Sequence, residues 1–130
     1  MQISRILCRS AACLLLSVLF AADSRFTGSW YGSGADASGG RVASQLVLFA
    51  DGRYQKQDRA LASGATSTIY GHYRVFPEQS LLRLDIERSQ PAQRSPGESY
   101  TFRFSGSNVM TLHLTSCPAN LCNWAYRRQN

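Results

Sequence analysis

Lysine is almost missing from this chain: of 14 basic residues only Lys56 is a lysine, and the rest are arginines scattered along the sequence. A nucleic-acid footprint gathers its basic residues on one face or interleaves them with exposed aromatics in a recognisable motif. No such cluster occurs here, so nucleic acid is not an expected partner. Histidine is just as scarce, with only His72 and His113. They fall on different segments, too few and too far apart to complete a metal site. Both sit at polar-side positions, so surface roles are expected of them. No nucleophile stands beside a base, and Asp85 and Glu87 share a face with Arg83 as a charged stripe rather than as paired carboxylates. The glycine-rich stretch 34–40 leads into no helix, which a phosphate or dinucleotide loop would need. The expectation is a non-enzymatic protein without cofactor or metal.

Long apolar runs are also lacking, apart from one. Arg5 and Arg9 precede an apolar run from Ala11 to Phe20, and Ala21-Ala22 follow with small side chains. A membrane helix needs about 20 apolar residues, whereas this pattern is that of an export signal. Residues 1–21 are therefore read as a signal peptide, cut after Ala21 or Ala22, with a single domain over 22–130 and no integral membrane segment in the mature chain. The expected location is periplasmic or secreted.

Cysteine is sparse in a way that fits export. Cys8 and Cys13 leave with the signal, so Cys117 and Cys122 remain as an even pair flanking a short loop. In an oxidising compartment such a pair reads as a staple across a hairpin. A redox site more often has two intervening residues, and a zinc site needs further ligands.

What the chain does contain is alternation. Leu82, Leu84 and Ile86 alternate with Arg83, Asp85 and Glu87, the pattern of a half-buried strand. Ile69, Gly71, Tyr73 and Val75 do the same, as do Tyr100, Phe102 and Phe104, and Met110, Leu112 and Leu114. Further strands are expected over Arg25–Gly34, Val42–Phe49, Arg53–Arg59 and Asn123–Arg128. The Arg53–Arg59 strand is polar throughout and reads as exposed or edge-like. Asp51-Gly52 predicts a two-residue hairpin turn, with Ala50 facing Arg53 and Phe49 facing Tyr54. Residues 34–40 and 89–99 are expected to be loose loops.

Eight short strands joined by tight turns, without a helical period, predict an all-β fold: an eight-stranded antiparallel up-and-down meander closed into a β-barrel. Such a barrel has room inside for side chains or one small ligand. The expected inward set includes Trp30, Phe49, Tyr54, Tyr73, Phe102, Phe104, Trp124 and Tyr126. Gly28 at the strand start allows a close approach, and Trp30 is expected to plug one end.

Gly28-Ser29-Trp30, Phe49-x-Asp51-Gly52-x-Tyr54, Gly71-x-Tyr73-x-Val75 and Tyr126-x-Arg128 span nearly the whole mature chain. In this order and spacing the chain resembles the small bacterial lipocalin-like proteins of the calycin superfamily. The resemblance implies a terminal arginine packed across the first tryptophan, so Gly28, Trp30 and Arg128 form a structural signature, with Arg127 the alternative to Arg128.

Two functional readings stand side by side. One is an exported binder of a small apolar or aromatic ligand, held at the barrel mouth near the 34–40 and 89–99 loops and lined by Tyr54, Tyr73, Tyr100 and Phe102. The other is a protein-interaction barrel, an inhibitor or immunity-type partner of an exported enzyme, with Arg59, Arg74, Arg88 and Arg94 at its contact surface.

Overall fold

Alternating apolar and polar side chains can be satisfied together only if the strands curl around a common interior, and the computed structural model, which describes residues 23–129, shows that arrangement. Its strands are β1 (Gly28–Ala35), β2 (Arg41–Leu48), β3 (Arg53–Ala60), β4 (Thr66–Phe76), β5 (Leu81–Gln90), β6 (Gly97–Ser105), β7 (Val109–Leu114) and β8 (Asn123–Gln129). Each pairs antiparallel with its neighbour in sequence, and β8 returns to β1 to close the barrel. Closure leaves no open sheet edge. The residues read as a signal peptide, and its cleavage site, lie outside the described residues.

The interior holds Trp30, Leu46, Leu48, Tyr54, Tyr73, Leu82, Leu84, Tyr100, Met110, Leu112, Trp124 and Tyr126. Gln45, Gln57, His72, Arg74, Arg103, Thr111 and Arg127 occupy exposed outward positions. This is the reverse of a membrane-spanning barrel, which carries its apolar band outside, so the outer wall is built to face water.

One end is sealed by the chain that precedes β1. Residues 25–27 were expected to begin the first strand; instead they turn across the barrel end, and the Phe26 amide donates to the Asp23 carbonyl at 3.0 Å. Phe26 is fully buried there, edge-on to Phe102 and Phe104 with ring centroids 4.9 and 5.0 Å away. The Trp30 indole N–H donates to the Phe26 carbonyl at 2.8 Å. Arg128 packs over Trp30 and donates to the backbone carbonyls of Arg25, Thr27 and Ser107. Arg127 points to solvent, which settles the choice between the two arginines. Gly28 serves the same cluster: at φ +139° a side chain is strained, and a Cβ would lie 2.6 Å from an Arg128 guanidinium nitrogen.

Several local expectations are corrected. The β2–β3 hairpin has a three-residue loop, because Phe49, not Ala50, lies opposite Arg53 and Leu48 pairs with Tyr54. Gly52, at φ +90°, supplies the left-handed residue of a bulge after the turn. This one-residue change puts Phe49 outside, 41% exposed. Strand β3 is not edge-like, since it is paired along its length with β2 and β4. The 34–40 segment is not a loose loop from Gly34: β1 continues to Ala35, and the Asp36 carboxylate accepts from the Ser38 and Gly40 amides at 2.9 Å each. Residues up to Gln90 of the 89–99 segment belong to β5, and β6 begins at Gly97.

Candidate functional site

The strand parity that sends Tyr54 inward sends Lys56 and Asp58 inward too, because side chains two apart on a strand share a face. Lys56, the single lysine, is thereby buried, with 4% of its side chain exposed. It lies toward the end opposite Phe26, where the β1–β2, β3–β4, β5–β6 and β7–β8 connections gather. That end opens into a cavity of about 450 Å³. Val42, Leu114, Cys122 and Trp124 form its apolar wall, while Asp36, Lys56, Asp58 and Glu98 are its charged side chains.

The Lys56 ammonium donates to Asp58 Oδ2 at 2.6 Å and reaches Glu98 Oε1 at 3.5 Å. It also stands 5.7 and 5.9 Å from the Trp124 and Tyr100 ring centroids, a range in which an ammonium is attracted to an aromatic face. Tyr100 donates its hydroxyl to Glu98 Oε1 at 2.7 Å. Below this network the hydroxyls of Tyr126 and Ser44 share a bond of 2.7 Å. Two buried polar atoms, Asp58 Oδ1 and Trp124 Nε1, have no partner among the described residues.

Burial by itself pulls the Lys56 ammonium toward the neutral form, but Tyr100, Glu98 and Asp58 act the other way and prevail, holding its pKa well above the ordinary lysine value. The amine is therefore a cation, not a free nucleophile. Burial raises the Tyr54, Tyr73 and Tyr100 phenols and pushes Tyr126 up to about 12.

The four residues expected to line a ligand do not meet at this mouth. Tyr100 belongs to the Lys56 network but does not line the cavity. Tyr54 donates to the Asp85 carbonyl at 2.8 Å and Tyr73 to the Phe49 carbonyl at 3.0 Å. Phe102 lies against Phe26 at the sealed end. Lys56 and Asp58 are hidden in the sequence because a strand reading Arg-Tyr-Gln-Lys-Gln-Asp-Arg looks solvated, and Glu98 because it lies on the distant β6. The period-two parity from Tyr54 was the signal that could have found the first two.

Elsewhere, Cys117 and Cys122 form the expected disulfide, and Cys122 lines the cavity. His72 meets Glu87 at 2.5 Å on the outer face, and His113 meets Asn123 at 3.0 Å. Asp85 is shared by Arg74 and Arg83, and Arg88 stacks on Tyr70 at 4.5 Å.

No protein-family profile matches this chain, and no curated protein matches it significantly. Among solved structures it is similar to a de novo designed fluorescence-activating β-barrel, with a TM-score of 0.54 and 12% sequence identity over 82% of this chain and 95% of that one. At that identity the likeness is one of fold. The chain is thus an eight-stranded antiparallel up-and-down β-barrel with a packed core, sealed at one end and indented by an open cavity at the other.

Proposed function

We propose that this protein is an exported, lipocalin-like binding barrel that holds a small, largely apolar or aromatic molecule in the cavity at its loop-bearing end. The observation that carries the reading is the asymmetry of the two ends. Phe26, Trp30 and Arg128 fill one, leaving about 250 Å³ beside Arg25 and Phe104, while the other opens into about 450 Å³ with an apolar wall and a few buried polar groups. Small-molecule sites have volumes of about 300–1,000 Å³ and this mixture of lining. The role is binding rather than catalysis: the one lysine of the site is charged and held between Asp58 and Glu98. Export is supported by the amino-terminal pattern and by the Cys117–Cys122 disulfide.

Titration of tryptophan fluorescence with a broad panel of apolar and aromatic compounds tests this. The wild-type chain should respond saturably to members of the panel, and Val42→Phe, which adds bulk to the cavity wall, should lose that response. A flat wild-type response across the panel would defeat the proposal.

One feature favours a second reading, the interaction barrel. Phe49 is exposed and carries the Arg53 guanidinium 5.7 Å from its ring centre, next to an outer groove that also includes Tyr70 and Arg88. Arginine and aromatic side chains are enriched at interface hot spots. Recovery of a stoichiometric partner from periplasmic extract by wild-type but not Phe49→Ser protein would support it. Recovery of none at low salt would remove it.

A further inference from the structure

The ligand cavity has the opposite charge to the chain that contains it. The sequence carries a formal charge of +6. Yet the ionisable side chains lining the cavity are Asp36, Lys56, Asp58 and Glu98, three acids against one base, a formal −2. No arginine of the described residues lines it. Lys56 cannot serve an incoming anion well, because it is buried beneath the opening and already shared between two carboxylates. An anionic head group would meet three carboxylates first.

The unused hydrogen-bonding capacity points the same way. Among the described residues both side-chain bonds received by Glu98 fall on its Oε1, which leaves Oε2 free, and Asp58 accepts on Oδ2 alone. Acceptors are therefore in surplus. Trp124 is the independent observation: only 5% exposed and part of the cavity wall, it offers an aromatic ring whose neighbourhood already holds one ammonium. An indole face attracts cations, more strongly where water is excluded.

We infer that the ligand is an amphipathic organic cation: a primary or secondary amine on a short apolar body, rather than a fatty-acid-like anion. Its ammonium donates to the Glu98 carboxylate in the field of Asp58 and Asp36, and its body lies along Val42, Leu114 and Trp124. This inference rests on the mouth being a ligand site, and it adds the class of head group.

Calorimetric titration of the chain with octylamine, octanol and octanoate, at neutral pH and low salt, separates the two ideas. All three share a tail. Octylamine should bind about tenfold or more tightly than octanoate, with octanol between them. Asp58→Asn, and independently Glu98→Gln, should narrow the gap between octylamine and octanoate, each variant first being shown to keep the wild-type near-ultraviolet circular dichroism. Should both variants misfold, raised salt in the wild-type titration must narrow the same gap. Octanoate binding as tightly as octylamine would overturn the inference while leaving the ligand site standing. Failure of all three to bind would overturn both.

Discussion

The guanidinium carbon of Arg128 lies 4.3 Å from the centre of the Trp30 ring, and the two residues are directly opposed where β8 closes on β1. The first and last strands of the barrel are thus joined by a side-chain contact as well as by backbone pairing. The same guanidinium holds residues 25 and 27 through their carbonyls, so it also fixes the segment that seals the end.

Arg128→Ala should therefore loosen that end and lower stability by about 2–4 kcal/mol, combining a cation–π contact with charged hydrogen bonds that solvent partly screens. Arg128→Lys should recover little of the loss, because a single ammonium cannot span carbonyls on both sides of the ring. Denaturant midpoints check this; a wild-type midpoint for Arg128→Ala would refute it.

At the open end, Gly34 of β1 lies tightly against β8. A Cβ there would fall 2.0 Å from the Asn123 carbonyl oxygen and 2.9 Å from Trp124 Cδ1. Backbone cannot yield as a flexible side chain can. Gly34→Ala should cost about 1–3 kcal/mol or more by forcing the strands apart, and should change Trp124 fluorescence even where the chain remains folded. Unchanged stability and emission would contradict the close approach.

Lys56→Met tests the buried ion network. Removing the ammonium leaves Asp58 and Glu98 facing each other without a counter-ion. The loss should be about 2–3 kcal/mol, less than the 3–5 kcal/mol typical of a fully buried pair, because both carboxylates reach the mouth. The loss should also shrink in acid, as protonation of the carboxylates removes the repulsion. A Lys56→Met barrel as stable as wild type at neutral pH would show the network to be unimportant.

Alkali should unfold this protein cooperatively. Lys56 and the buried tyrosines hold their protons more tightly when folded than when unfolded. Each contributes its full stabilisation below the unfolded value, 10.0 for tyrosine and 10.5 for lysine, and loses it as pH rises toward the folded value. For Tyr126, raised from 10.0 to about 12, the loss by the upper end is roughly 3 kcal/mol. Denaturation midpoints should stay level below about pH 10 and fall steeply above it. A profile flat to pH 12 would contradict the burial of these phenols.

Much of the fold was legible because alternation in β4 to β7 is strong and each strand lies between tight turns. The Cys117–Cys122 staple was legible from local pattern, whereas the packing of Arg128 on Trp30 was legible only through the family resemblance. Phe49 was misplaced by one residue of loop length, since Asp-Gly occurs in both two- and three-residue hairpin turns and the backbone angle at Gly52 is not written in the dipeptide. Phe26 looked like the start of a strand because its apolar ring is right for either role. The charged site was hidden for another reason. Lys56 and Asp58 look like surface residues until Glu98, far away in sequence, is brought alongside by closure of the barrel.

The most direct test of a ligand in the open end uses the two tryptophans as opposed reporters. The Trp30 indole N–H is bonded to Phe26 at the sealed end, whereas the Trp124 N–H has no partner among the described residues and its ring belongs to the cavity wall. Two-dimensional nitrogen–proton NMR resolves one indole signal from each. Addition of a small amphipathic ligand such as octylamine should move the Trp124 signal in a saturable way and leave that of Trp30 in place. Movement of the Trp30 signal instead, or of neither across a broad ligand panel, would contradict the account.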